Sequence, residues 1–150
     1  MKNIFLAIWD VIKRLFVFNS VLPPRKSKDD IEFLYEVQDK IKNFRLDNGL
    51  MPLNYSLPLE YFVQENADHN YMNHYVCDNI SDSLIGMHLK LQNIYFSKFA
   101  CLAVCSDGNI DDFMRLVLTN SKYRSALLDG FMTNIAVAKC GNYISIIMAG

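Results

Sequence analysis

The sequence has little charge imbalance: 15 basic and 16 acidic residues give a net charge of −1. No run of Lys and Arg breaks that balance, so the clustered positive surface that reads phosphate backbones is missing and a nucleic-acid partner is not expected. Cysteine is sparse and badly spaced for metal. Cys77, Cys101, Cys105 and Cys140 form no CxxC pair and no zinc-finger pattern. Cys101 and Cys105 on one strand would stand roughly 13 Å apart at about 3.3 Å per residue, too far to bond each other. Free, mostly buried thiols are therefore expected over disulfides. Glycine is scarce and no glycine-rich phosphate loop occurs. There is no HExxH, and no Ser-His-Asp or Cys-His arrangement has usable spacing. With three histidines, the nearest approach to a metal set is His69, His74 and Cys77. Positions i and i+5 on a helix point about 140° apart at ~3.6 residues per turn, so that set works only if the helix ends before His74. Surface histidines are the simpler reading.

What is present supports one domain. The chain has 150 residues, 51% of them hydrophobic, which is enough to build a core and argues against disorder. Residues 1–18 read MKNIFLAIWDVIKRLFVF. Phe5, Ile8, Trp9, Ile12, Leu15 and Phe16 recur at helical spacing and make a wide apolar face. A signal peptide needs an unbroken apolar core and a small-residue cleavage site; Asp10 interrupts the first and the second is missing. A membrane span needs about 20 apolar residues. Here about 17 helical residues would reach roughly 25 Å and would carry Asp10, Lys13 and Arg14 inside. An amphipathic docking helix fits better, with a protein partner or a homo-oligomeric assembly as its acceptor. Its own domain and a membrane surface are the alternatives, and a removed targeting segment is a third. An apolar terminal helix without a partner frays or aggregates, so burial against something is expected.

Residues 19–28 form a linker, because Pro23 and Pro24 block helix continuation. Residues 29–150 are read as the domain. Ser27 with Asp30 three residues on marks a helix start. That helix should bury Ile31, Leu34, Val37 or Tyr35, Ile41 and Phe44, and end at Asn48-Gly49 in a left-handed cap. Pro58 opens a second helix, with Leu59, Phe62, Val63, Ala67 and Met72 inward. A short helix is expected within residues 81–92 and a strand over 99–104. A helix capped by Gly108-Asn109 should turn Ile110, Phe113, Met114 and Val117 inward. Two strands, 134–139 and 143–148, flank a Gly141-Asn142 turn and form a hairpin.

Two stretches carry a resemblance. Ile41, Asn43, Arg45, Gly49, Leu50, Pro52 and Leu53 echo a Leu/Ile-Asn-x-x-Arg-x-x-x-Gly-Leu-x-Pro-Leu pattern, with small shifts near Asn43. Residues 120–128, Asn-Ser-Lys-Tyr-Arg-Ser-Ala-Leu-Leu, echo Ser-x-x-His-Arg-x-x-(Leu/Ile)-Leu. Together with the closing hairpin, they resemble the bacterial CAP domains, relatives of cysteine-rich secretory proteins, antigen 5 and pathogenesis-related proteins. The resemblance covers roughly residues 30–150. It implies an α+β fold: a CAP-type α/β/α sandwich with a small, mostly antiparallel sheet, here preceded by the N-terminal amphipathic helix.

The family's cleft gathers two histidines and one or two acids, which in some members bind a divalent metal. At or beside those positions this chain has Asp78 (or Asn79), Ala100, Ser121 and Tyr123. Asn120 stands in for the family's serine, with Ser121 one place late. A metal needs three or more ligands on one point, so the resemblance implies an inert cleft with no catalytic residues, no metal and no cofactor. Tyr71, Tyr75, Tyr95, Tyr123 and Tyr143 could line a ligand groove with Asp78 at its mouth, although core packing explains aromatics equally well. Arg124 is expected to brace helix ends against Asp111 or Asp112.

The functional expectation is a non-catalytic binding or structural module, docked through residues 1–18. Abundant Asn, Ile, Lys, Phe and Tyr suit a phage or viral virion component. The alternatives are a secreted or membrane-peripheral protein binding a lipid, glycan or peptide, and a hydrolase with a rebuilt site.

Overall fold

A computed structural model describes residues 26–150. The docking positions Phe5, Ile8, Trp9, Ile12, Leu15 and Phe16 lie outside the described residues. Helix α1 (Lys28–Asp47) starts where the sequence signals it: Ser27 accepts from the Asp30 amide while the Asp30 carboxylate accepts from the Ser27 amide, a complete capping box. It ends at Asn48, and Gly49 follows at φ +73°. Then come β1 (Asn54–Tyr55), α2 (Leu57–Asn73) and α3 (Asp82–Leu91). Strand β2 (Phe99–Cys105), α4 (Ile110–Thr119), α5 (Ser121–Leu127), β3 (Asn134–Cys140) and β4 (Tyr143–Ala149) complete the chain. Asn109 caps α4 by accepting from the Asp112 amide, and Asn120 caps α5 by accepting from the amides of Lys122 and Tyr123.

The strands form one sheet in the order β1-β3-β4-β2, antiparallel except for the short parallel pair β1–β3. At the β3–β4 turn Gly141 has φ +56°, and a side chain there would meet the Tyr71 ring at 2.7 Å, so both backbone and space require glycine.

Strand alternation sorts the core into two layers. Leu102, Val104, Ile135, Val137, Ile144, Ile146 and Met148 face α1, α4 and α5, meeting Leu34, Val37, Ile41, Phe113, Val117 and Leu127. Cys101, Ala136, Ala138, Cys140, Ile147 and Ala149 face α2 and α3, meeting Leu59, Val63, Ala67, Ile85 and Leu89. The result is a helix–sheet–helix sandwich of the expected α+β class.

Three expectations need correction. Ile31 is exposed, and of the alternatives Val37 and Tyr35 it is Val37 that is buried, because the inward stripe of α1 runs through Leu34, Val37, Ile41 and Arg45. Met72 and Phe62 are only half-buried on α2, whose inward stripe instead includes Asn70. Arg124 is exposed and does not reach Asp111 or Asp112; Asp111 pairs with Lys40, and Asp112 with Arg115 and Ser106. The bracing arginine is Arg45, 1% exposed, which donates to the carbonyls of Met51, Leu127, Asp129 and Met132. It thereby fastens the end of α1 to the loop after α5. Cys77, Cys101, Cys105 and Cys140 are all free, with Cys101 and Cys140 buried, Cys77 half-buried and Cys105 exposed.

Candidate functional site

Strand β2 lies at one margin of the sheet, and there the two helical layers meet around its edge. Tyr123 arrives from α5, and Asp78 from the loop after α2. The Tyr123 hydroxyl lies 2.8 Å from Asp78 Oδ2 and 3.0 Å from the carbonyl oxygen of Ala103 on β2. A phenol has one proton to donate, so the carboxylate and the carbonyl compete for it, and the ionised carboxylate is the stronger acceptor. Lys122 Nζ donates to the same Asp78 oxygen at 3.0 Å.

These contacts set the protonation states. Burial works against ionising Asp78, but the Lys122 ammonium and the Tyr123 hydroxyl outweigh it, and the carboxyl stays below its ordinary range. Tyr123 is 6% exposed. Burial, and then the hydrogen bond to Asp78, pushes its hydroxyl well above the usual phenol range. Near neutral pH the pair is therefore a carboxylate beside a protonated phenol.

The loop that carries Asp78 is held from α2. Asn70 accepts from the Cys77 amide at 3.0 Å and donates to the Cys77 carbonyl at 3.1 Å; Asn66 donates to that same carbonyl at 3.1 Å. Asn66 Oδ1 accepts from Ser145 Oγ at 2.7 Å, which ties the arrangement to the centre of β4. Asn66, Asn70 and Ser145 were missed by sequence reasoning. The available signal was an asparagine pair at i, i+4 on a helix that had been read only for its apolar residues.

The resulting cleft, about 240 Å3, is lined by Asp78, Asn79, Ala100, Cys101, Lys122 and Tyr123 among others. Of the four predicted positions, Asp78, Ala100 and Tyr123 converge here. Ser121 does not line it; as the exposed first residue of α5 it turns away. Of the five tyrosines considered for a groove, only Tyr123 lines it. Tyr75 and Tyr95 are exposed, Tyr71 packs against Gly141 and His74, and Tyr143 sits at the hairpin. Burial pushes the Cys101 thiol up to about 12, so it is protonated near neutrality and a poor nucleophile or ligand. Helix α2 does end before His74, which takes a left-handed conformation. Among the described residues, however, no three His, Cys, Asp or Glu side chains stand close enough to share a metal ion. A larger groove of about 670 Å3 runs between α2 and α3, between Tyr61, Phe62, His69 and His88.

No protein-family model and no curated protein sequence matches this chain significantly. Solved structures do. A cysteine-rich secretory protein from Staphylococcus aureus superposes at a TM-score of 0.70 with 14% identity, over 84% of this chain and 40% of that one. The fold is the CAP fold. An extracellular protein containing an SCP domain from Bacillus anthracis gives a TM-score of 0.69 at 14% identity, over 84% of this chain and 44% of its own. An outer surface protein from Borrelia burgdorferi gives 0.69 at 12% identity, over 85% of this chain and 98% of its own. The chain thus spans less than half the length of the first two neighbours and nearly all of the third. The CAP architecture predicted from two short motifs is the architecture observed.

Proposed function

We propose that the chain is a non-catalytic binding or structural module on a CAP scaffold, carried into a larger assembly by residues 1–18. The engaged state of Asp78 carries the reading. Its charge is met by Lys122, and the same oxygen, Oδ2, also accepts from a phenol that holds its proton. Ala100 brings no functional group to the cleft. The cavity of about 240 Å3 falls below the 300–1,000 Å3 typical of small-molecule sites. What is left is a polar clasp between layers, with nothing set to polarise a bond or activate water. An asparagine-, lysine- and aromatic-rich composition suits a phage or viral particle as that assembly.

A second reading draws on the neighbours. Two of them are described as an extracellular protein and an outer surface protein, which favours display outside a cell.

The intact mass and sedimentation of the protein in its native source test both. The assembly reading expects a mass that retains residues 1–24 and a particle much larger than the 17.3 kDa chain. Ile8→Glu with Phe16→Glu should release it, while Asp78→Ala should leave it assembled. A monomer no larger than the 17.3 kDa chain, or a hydrolytic activity lost in Asp78→Ala, would overturn the assembly reading; processing near residues 19–28 would favour the extracellular one.

A further inference from the structure

Ile31 and Tyr35 sit at helical spacing with Leu34 and have the character of covered residues, yet they are 45% and 67% exposed. Beside them Leu57, at the start of α2, is 73% exposed, and Tyr55 on β1 is also exposed. These four surround a groove of about 580 Å3 floored by Leu34 and Val137. Isolated exposed apolar residues need no explanation, whereas a contiguous group around a concavity marks a surface that something occupies. Lys26, the first described residue, itself lines this groove. The chain leading from the amphipathic segment therefore enters the described structure at the rim of this apolar groove.

We propose that the groove between α1, β1 and the start of α2 is the docking site for the chain's own residues 5–16, folded back over the linker. The geometry allows it. Seven residues, 19–25, separate Phe18 from Lys26 and can span up to about 25 Å when extended. A helix of residues 5–16 is about 18 Å long. The apolar stripe of Phe5, Ile8, Trp9, Ile12, Leu15 and Phe16 matches the aromatic and aliphatic wall formed by Ile31, Tyr35, Tyr55 and Leu57. Tethering favours the chain's own groove over a neighbour's: a short linker holds the segment at an effective concentration on the order of millimolar. The inference rests on residues 1–18 being the docking element of the proposed function, and it adds a condition to that function. Before assembly the segment is parked, and a partner must compete with the groove to capture it.

Trp9 is the only tryptophan in the chain, so it reports on the segment directly. In the full chain, at dilutions where sedimentation gives a monomer, its emission should be blue-shifted and its quenching by acrylamide several-fold weaker than for free tryptophan. Tyr35→Glu with Leu57→Glu should restore solvent-like emission and quenching with the thermal midpoint held. Leu91→Glu, on the exposed side of α3, should change neither. If the groove variant loses its fold, Ile12→Glu gives the complementary reading, speeding amide exchange over residues 31–38 and 54–57. A solvent-exposed Trp9 in the monomer would overturn the inference, as would protection that ignores both groove glutamates. Protection that appears only on self-association would also overturn it while leaving the assembly reading intact. Conversely, a parked Trp9 in a protein that never assembles would support the groove and sink the assembly.

Discussion

Under α1, α4 and α5 the sheet presents Leu102, Val104, Ile135, Val137, Ile144, Ile146 and Met148; under α2 it presents Cys101, Ala136, Ala138, Ser145 and Ala149, with Ile147 as the large exception. The first face fills space with branched side chains and supplies most of the hydrophobic stabilisation. The second is built from small residues, which let α2 lie close to β3 and β4. That closeness has a chemical use. It brings Asn66 within 2.7 Å of Ser145 and lets the Asn66–Asn70 pair hold the Asp78 loop by its backbone. Bulk on one side gives stability, and smallness on the other gives position. The cleft forms at the β2 margin, where the bulky side's Tyr123 meets the small side's Asp78.

Substitutions can break that contrast. The largest effect should come from Arg45→Met on the bulky side. Four carbonyls lose their donor, at about 1 kcal/mol each, so unfolding midpoints in urea should fall by an amount equivalent to about 4 kcal/mol. Ile146→Ala should follow at about 3 kcal/mol, from lost burial and an unfilled cavity. On the small face the direction of the size change reverses: Ala138→Leu, which adds bulk, should cost about 2 kcal/mol by pushing α2 away. Asn66→Ala should cost about 1–2 kcal/mol, but its signature is local, with faster amide exchange across residues 76–80 before any global change.

Tyr123→Phe is the smallest and sharpest test. It should cost about 1 kcal/mol near neutrality and alter the pH profile at both ends. The folded Asp78 carboxyl lies below its unfolded value, so its contribution is present above about pH 4 and is lost as pH falls through the folded value. The folded Tyr123 hydroxyl lies above its unfolded value, so its contribution is full below about pH 10 and fades as pH rises past it. The phenylalanine variant should remove the Tyr123 share of the alkaline limb, leaving those of Tyr55, Cys101 and Cys140, and should weaken the acid limb. A melt series across pH reads both.

Much of the scaffold was legible in the sequence because its signals are local. Ser27 with Asp30, Pro58, Asn109, Gly49 and the Gly141 turn each fix a boundary through their own backbone chemistry, and strand alternation gave the hairpin. The cleft positions Asp78, Ala100 and Tyr123 were legible only by register against the family pattern, and of the three only Tyr123 lies within one of the two motifs. Ser121 went astray because a one-place shift at the start of a helix turns a side chain by about 100°. The reach of Arg45 was hidden, since its acceptors lie 6 to 87 positions away along the chain and are all backbone carbonyls. Arg124 attracted attention as a charged residue in a motif but faces solvent. The Asn66–Ser145 bond, spanning 79 positions, leaves no trace in any local pattern.

Tyr123 also has a protective consequence. Among the described residues β2 is the outermost strand, with β4 on one side and no strand on the other. Bare strand margins invite pairing with another chain, and proteins guard them with side chains that occupy the backbone groups. Lying 3.0 Å from the Ala103 carbonyl oxygen and sharing its proton between that carbonyl and Asp78, the Tyr123 hydroxyl covers one acceptor of that margin against a stray strand. Phe at this position would leave the carbonyl open, and the visible cost would be loss of solubility on prolonged warming as chains pair edge to edge.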